Sequence, residues 1–489
     1  MYSLEEKVLE YGSIRPDRLA VGFKEESVTY GELKNRILHM AKYLDKQGIG
    51  KNNIVLLQAE TRVDYVSAYL ALHCIGAVVA PVDRKATWDT VEDIKKQLKT
   101  EYIIGTEKFL AKIGPGFSYE QMKQEKDIFE YHPSSYSSQD MYDILFTTGT
   151  TGVAKGVVST RASVLAAISN EIEGPEMTED EILLIPIPLN HSFGIGKLRA
   201  VLYLGASVIL QNGVSMVTEL RNNIEQFKCN AMICVPSTLE IIERQAGEEI
   251  GKVLGGLHFI EAASAPFGVD LKKKMIQALP NVHILNRYGS TETPAAIYLD
   301  MKKAPDKLAS IGKAIGNVGV KIVDENRQEI ISSAQNIGKL VISGPMLMQG
   351  YYQAADMTET VLQDGWMYTR DMAYIDEDGY IFLMGRADDV INTGGKKFSP
   401  LEVEDILMKS GMFKECAIVG IEDPQKVLGN IPVLAYVSEM ETLDEKEINL
   451  YLRKHIEKYK IPVQSLRVKA LPRNYMGKLD RNKIRKLFR

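Results

Sequence analysis

The stretch Phe146-Thr147-Thr148-Gly149-Thr150-Thr151-Gly152-Val153-Ala154-Lys155-Gly156 constrains this chain more than any other. It follows the apolar pair Ile144-Leu145 and runs into Val157-Val158, so a polar, glycine-rich loop is clamped between two buried elements. Glycines let a backbone bend closely around a ligand, and free amides with hydroxyls can solvate phosphate oxygens. Lys155 adds a compact positive charge. That set of groups suits a polyphosphate. The Walker A spacing is not met, because Gly156 follows the lysine where Ser or Thr is required. A P-loop kinase or GTPase is a poor fit.

At 489 residues, with 45% hydrophobic and 25% charged content, the chain suits a soluble globular protein of two or three domains. Cys74, Cys229, Cys234 and Cys416 are scattered without metal-like spacing and read as reduced thiols in a cytoplasmic protein. The start is acidic and lacks a secretory signal pattern. The most apolar window, Val66 to Val82, is broken by His73, Gly76 and Pro81, and is expected to be a buried helix leading into a strand. Residues 388–489 carry 19 Lys and Arg against 15 Asp and Glu, while the whole chain is at −5. A basic C-terminal module could meet an anionic substrate or an acidic partner protein, or simply present a solvated helix face.

Short β-like runs alternate with helical patterns through the first 300 residues. Ile54 to Leu57, Val63 to Leu72 and Ala77 to Pro81 are one such series. Ala231 to Val235, Thr238 to Gln245, Leu257 to Ile260, Leu271 to Leu279 and His283 to Leu285 are another. That order predicts parallel α/β layers. From Val318 the pattern turns β-rich, with strands at Val320 to Val323, Lys339 to Ser343, Met372 to Ile375 and Tyr380 to Met384, and a turn at Asp376-Glu377-Asp378-Gly379. A smaller mixed unit follows, with helices near Leu401 to Lys409 and Lys446 to Lys458 and strands near Ala417 to Ile421 and Val433 to Val437. The expected boundary divides residues 1–386 from 387–489.

Further clusters carry the chemistry of an ATP site. Arg287-Tyr288-Gly289-Ser290-Thr291-Glu292 offers an aromatic face for a base, hydroxyls for phosphate and a carboxylate for a hard cation. Thr369-Arg370-Asp371 and Gly385-Arg386 lie in the β-rich segment, where an aspartate could accept both ribose hydroxyls. Pro472 to Lys478 places a lysine on a glycine-bearing loop near the C-terminus. Taken alone, a Gly-Lys pair is uninformative, and a Tyr-Gly-x-Thr-Glu loop is structural more often than not.

Together and in this order, these segments resemble the adenylate-forming superfamily, which includes acyl-CoA synthetases, nonribosomal-peptide adenylation domains and firefly-type luciferases. The resemblance runs from Val28-Thr29-Tyr30-Gly31-Glu32-Leu33 to Lys478, through Gly76 to Asp83, Pro188 to Gly194, Gly338 to Tyr352, Asp364-Gly365-Trp366 and Gly385 to Glu404. It implies an α/β fold with a β-rich part: a large N-terminal domain of α/β subdomains plus a small β-barrel, and a small mobile α+β C-terminal domain. It also implies ATP, Mg²⁺ and CoA, or a carrier protein's phosphopantetheine in place of CoA. By matching position, Thr147, Thr148, Gly149, Thr150, Thr151, Gly152 and Lys155 would hold the β- and γ-phosphates. Tyr288 would stack on adenine beside Ser264-Ala265-Pro266, with Arg287 and Gly289 in the same segment. Thr291 would contact the α-phosphate and Glu292 would help hold Mg²⁺. Asp371 and Arg386 would bind ribose. Lys478 would bridge the acyl carboxylate and the α-phosphate. Asp388 matches the hinge between the domains, and Gly395 the point where pantetheine approaches the backbone.

Three positions depart from the usual pattern: Arg370 replaces a common Gly, Ala154 a common Pro and Lys339 a common Glu. Arg370 puts the loop around Asp371 in question. The acyl pocket is expected from Pro188 to Gly194, Glu261 to Ala265 and Gly289 to Ala295, with His191 as its gate. Ser192 stands where amino-acid-activating relatives place an Asp, so a substrate ammonium would be buried unpaired, at a cost of several kcal/mol. The resemblance therefore favours an AMP-forming acyl-CoA synthetase acting on an aliphatic or aromatic acid with an uncharged tail. An acidic carrier protein is the alternative acceptor, and a catalytically silent nucleotide-binding scaffold the more distant reading. No nucleic acid and no integral membrane association are expected.

Overall fold

Two mixed sheets share one apolar core in the N-terminal part of the computed structural model, which describes residues 2–132, 136–148, 154–387, 389–394, 396–426, 428–440, 443–473 and 479–488. The first sheet has nine strands. Its centre is six parallel strands in the spatial order His283–Tyr288, Phe259–Ala262, Ala231–Cys234, Ile182–Ile185, Ser207–Leu210 and Leu19–Phe23. Antiparallel strands Ile297–Asp300 and Glu26–Thr29 flank it. The second sheet has seven strands, with Phe117–Ser118, Ile103–Gly105, Ile54–Ala59, Val78–Asp83 and Met141–Thr148 parallel to one another. Ala154–Thr160 and Gly350–Tyr351 then continue that sheet antiparallel.

The helices Val63–Cys74 and Ser192–Leu204 join the sheets. Every residue of the first is buried. Val66, Leu70, Leu198 and Val201 pack in one continuous core with Leu57 and Leu145 of one sheet and Leu183, Val208 and Phe259 of the other. A helix this largely apolar is covered on every side, its few polar side chains included. The window Val66 to Val82 is thus a buried helix and strand, and none of the described helices is long and apolar enough to cross a membrane. All four cysteines are buried and unpaired.

Most sequence-predicted elements fall within two residues of the observed bounds. The helix expected at Thr238 begins earlier, at Pro236, because proline is suited to the first helical position, where its missing N–H is not needed. The helix expected over Lys446 to Lys458 stops at Leu452, and tighter turns follow. The strand expected from Met372 begins at Trp366 and carries Thr369 and Asp371.

The chain divides into two compact units. One comprises Met1–Val320 with Ile342–Met367, the other Lys321–Val341 with Tyr368–Arg489. In the second unit Asp371 to Ile375 pairs with Ile381–Arg386 in a hairpin that turns at Asp376 to Gly379, where Gly379 takes a φ of +82°. A sheet of Glu415–Glu422, Asn430–Val437 and Gln464–Arg467 packs with the helices Pro400–Lys409 and Glu445–Leu452 through Val403, Leu407, Ile418, Leu434 and Ile448. Arg481 forks onto Glu404 at 2.6 and 2.9 Å and Arg485 reaches Asp389 at 2.9 Å. Two residues of the basic C-terminal run are therefore matched within their own unit.

Candidate active site

The phosphate-loop segment is a hairpin connection. Thr147 faces Lys155, and Thr148 faces Ala154, across the antiparallel pair Met141–Thr148 and Ala154–Thr160. Strand pairing therefore fixes where both ends of the loop sit. Gly149, Thr150, Thr151 and Gly152 lie outside the described residues. Lys155 holds its ammonium 5.2 Å from the centre of the Tyr351 ring, and Tyr351 pairs with Val157 on the same sheet.

Tyr288 ends a parallel strand of the other sheet, and the chain returns through Ser290 to Ala295. That return is rigid. Ser290 and Thr293 hydrogen-bond each other's backbone and side chains, and the buried Asn170 amide donates to the Ala295 carbonyl at 3.1 Å. Gly289 is required by space: a Cβ there would lie 2.7 Å from the Thr293 carbonyl oxygen. The loop presents Thr291 and Glu292. Thr291 donates to the Ser192 hydroxyl at 3.4 Å, and Glu292 accepts from the Tyr351 hydroxyl at 2.9 Å. Ser264, Ala265 and Pro266 are exposed, and Ser264 adopts a left-handed backbone with φ +70°.

His191 is the N-cap of the helix Ser192–Leu204, and both His191 and Ser192 are half-buried. The preceding turn packs closely against this helix, since a Cβ on Gly194 would come 2.4 Å from the Pro188 carbonyl oxygen. A glycine is needed there for the segment Pro188 to Gly194 to hold its shape.

Arg287 is buried rather than presented with Tyr288. Its guanidinium lies 2.5 Å from Glu171 and 4.9 Å from the centre of the Phe193 ring. Lys197 sits 3.0 Å from Glu171 and 2.7 Å from Glu261, and Tyr298 donates to Glu171 at 3.2 Å. Two cations and two carboxylates thus balance behind the loop. Burial pushes the Glu261 carboxyl up to about 7 against the attraction of Lys197. For Glu171 burial also acts upward, but Arg287 and Lys197 outweigh it and hold the carboxyl low. Sequence reasoning missed Glu171 and Lys197. The available signal was clearest at Lys197, a charge within the largely apolar run Phe193 to Leu204, since a buried charge demands a partner. It also gave Tyr351 no role.

In the second unit, Asp371 stands directly opposite Arg386 across the hairpin, with Arg386 Nε 3.8 Å from Asp371 Oδ1. The Asp371 N–H donates to Thr369 Oγ1, which in turn donates to the Leu340 carbonyl at 2.7 Å. Arg370 is not among the residues with a left-handed backbone, so the missing glycine costs no strain, and its carbonyl accepts from Ala387. Asp388, Gly395 and Lys478 lie outside the described residues.

The donor set fits magnesium. A cation of this kind takes one or two carboxylates and fills its remaining positions with phosphate oxygens and water. Glu292 offers a carboxylate with one oxygen engaged by Tyr351, and among the described residues no cluster of three acidic, His or Cys side chains forms a closed metal cage.

A family model described as "AMP-binding enzyme" matches residues 10–352. The chain belongs to that family. The model for the C-terminal domain of AMP-binding enzymes matches residues 402–478. The 2-succinylbenzoate–CoA ligase of Listeria monocytogenes is 28% identical, covering 96% of this chain and 97% of the relative. That of Oceanobacillus iheyensis is 27% identical, covering 97% of each. Among solved structures, o-succinylbenzoate CoA synthetase from Bacillus subtilis with its acyl-adenylate superposes with a TM-score of 0.87 at 22% identity, covering 98% of this chain and 97% of that one. This AMP-binding enzyme is an AMP-forming acid–thiol ligase of the adenylate-forming superfamily.

Proposed function

We propose that the protein is an acyl-CoA synthetase. A carboxylate oxygen of the acid attacks the α-phosphorus of ATP and pyrophosphate leaves, giving an acyl-adenylate. The thiolate of CoA then attacks the acyl carbon and AMP leaves, giving the thioester. One observation carries this reading: Thr291 of the nucleotide segment and Ser192 of the acyl segment are a hydrogen bond apart. Carboxylate and α-phosphate would meet at that point.

The physical difficulty is bringing an anion against a polyanion, and donors fixed in advance are what lower such a barrier. Lys155 and the Thr147–Gly152 loop would hold the β- and γ-phosphates, and Thr291 would donate to the α-phosphate. Tyr288 with Ser264 to Pro266 would take adenine, and Asp371 with Arg386 the ribose. Glu292 would hold magnesium, which when bound supplies positive charge to the phosphates. Lys478 would bridge the two reacting groups. A swing of the C-terminal domain about Asp388 would then withdraw it and bring Gly395 to the thiol.

The leading acid is 2-succinylbenzoate, since relatives named for it in Listeria, Oceanobacillus and Bacillus match almost the whole chain. A second reading, an aryl or aliphatic acid with an uncharged tail, is favoured by the buried quartet. Lys197 and Arg287 are already engaged by Glu171 and Glu261, so that quartet offers a second carboxylate no unengaged cation. The test is AMP release with a panel of 2-succinylbenzoate, benzoate and short to long fatty acids, each with and without CoA. Acid-independent turnover would contradict both readings.

A further inference from the structure

Lys155 and Glu292 are supplied by different sheets. Lys155 lies in the strand Ala154–Thr160 of the seven-stranded sheet, whereas Glu292 follows Tyr288 at the end of a strand of the nine-stranded sheet. A nucleotide site built from both needs something to fix their spacing. Hydrophobic packing alone sets such a spacing less sharply than a directed polar contact does.

Tyr351 makes contact with both sides. Its backbone is paired in register with Val157, two residues from Lys155, and its neighbour Tyr352 donates to the Gly156 carbonyl at 2.8 Å. Thr358 Oγ1 accepts from the Tyr351 N–H at 2.9 Å and is itself held by the Ala354 carbonyl at 3.0 Å. From this anchored backbone the ring passes 5.2 Å from the Lys155 ammonium, and the hydroxyl donates to Glu292 Oε1 at 2.9 Å. The Glu292 main chain is fixed from the same segment, since its carbonyl accepts from Met348 at 3.0 Å. One oxygen of the carboxylate is thereby committed, and the carboxylate's orientation is set by a residue that belongs to the phosphate-loop sheet.

We propose that Tyr351 is a positioning residue that orients the Glu292 carboxylate for magnesium and ties it to the phosphate-binding lysine. This rests on the reading of Glu292 as the magnesium carboxylate. The hydroxyl serves the cation and the ring serves Lys155, so the two contributions can be separated by removing the hydroxyl alone.

The test is calorimetric binding of a non-hydrolysable ATP analogue to purified full-length protein, in magnesium and in EDTA, for wild type, Tyr351→Phe and Glu292→Gln. Tyr351→Phe should keep the affinity in EDTA and lose about tenfold of the tightening that magnesium gives, in line with loss of one hydrogen bond to a charged group. Glu292→Gln should lose that tightening altogether. A wild-type magnesium response in Tyr351→Phe, with the response lost in Glu292→Gln, overturns the role of Tyr351 alone. A wild-type response in Glu292→Gln overturns the metal assignment beneath it. An equal fall in Tyr351→Phe with and without magnesium shows a tyrosine that only packs the site, and also overturns the proposal.

Discussion

Thr291 and Ser192 are 99 residues apart in sequence, yet the threonine hydroxyl donates to the serine hydroxyl across 3.4 Å. The first follows a strand of the nine-stranded sheet, and the second opens the helix buried between the sheets. Their meeting puts the segment proposed to hold nucleotide beside the segment proposed to hold the acyl group. An acid carboxylate seated near Ser192 would be presented to an α-phosphate held by Thr291.

Thr291→Val keeps the side chain's shape and removes its hydroxyl. If that hydroxyl stabilises charge on the α-phosphate, acid-dependent ATP–pyrophosphate exchange should fall about 10²-fold, as for loss of one donor to a transition state. The thermal midpoint should stay near wild type. Exchange at the wild-type rate would remove Thr291 from the reaction.

Arg287 is 5% exposed and its charge is spent on Glu171. Arg287→Met should lower stability by about 3 kcal/mol, because it removes one of the two cations beside the buried Glu171 and Glu261 and leaves Lys197 to serve both. Adding Glu171→Gln should recover part of that loss, read by denaturant unfolding. Were Arg287 a nucleotide contact instead, the single variant would weaken ATP binding and leave stability unchanged.

Lys272 is 2% exposed, and its ammonium donates to the Leu308 and Ser310 carbonyls. Burial lowers it from 10.5 to about 8. The unfolded chain keeps that proton up to the higher value while the folded chain has released it. Between the two values the unfolded state therefore binds more protons, and stability rises with pH through the window. The rise is at most about 3 kcal/mol. Wild type minus Lys272→Met, followed by urea unfolding between pH 7.5 and 10.5, should display it. A flat difference would contradict the assignment.

The layered α/β part was legible because its strands and helices have distinct periods, and proline, glycine and aspartate mark their ends. Val63–Cys74 was readable as buried because apolar side chains dominate it on every face, despite Asp64, Ser67 and His73. The site was legible where chemistry is local, as in the hairpin that sets Thr147 opposite Lys155. It was not legible where partners come from separate elements. The Glu171–Arg287 pair spans 116 residues and the Tyr351–Glu292 bond spans 59, and no local spacing rule predicts either. For the same reason Arg287 reads in sequence as part of the nucleotide loop, while in the fold its side chain is engaged behind it. The concern raised by Arg370 dissolved for a backbone reason, since its position never needed a left-handed conformation.

The most direct measurement follows α- and γ-labelled ATP with the purified protein, magnesium and the acid panel, before and after adding CoA. Acid should release pyrophosphate and leave an enzyme-held acyl-adenylate, and CoA should convert that intermediate to acyl-CoA with release of AMP. Appearance of ADP and phosphate, or nucleotide cleavage indifferent to every acid, would contradict it.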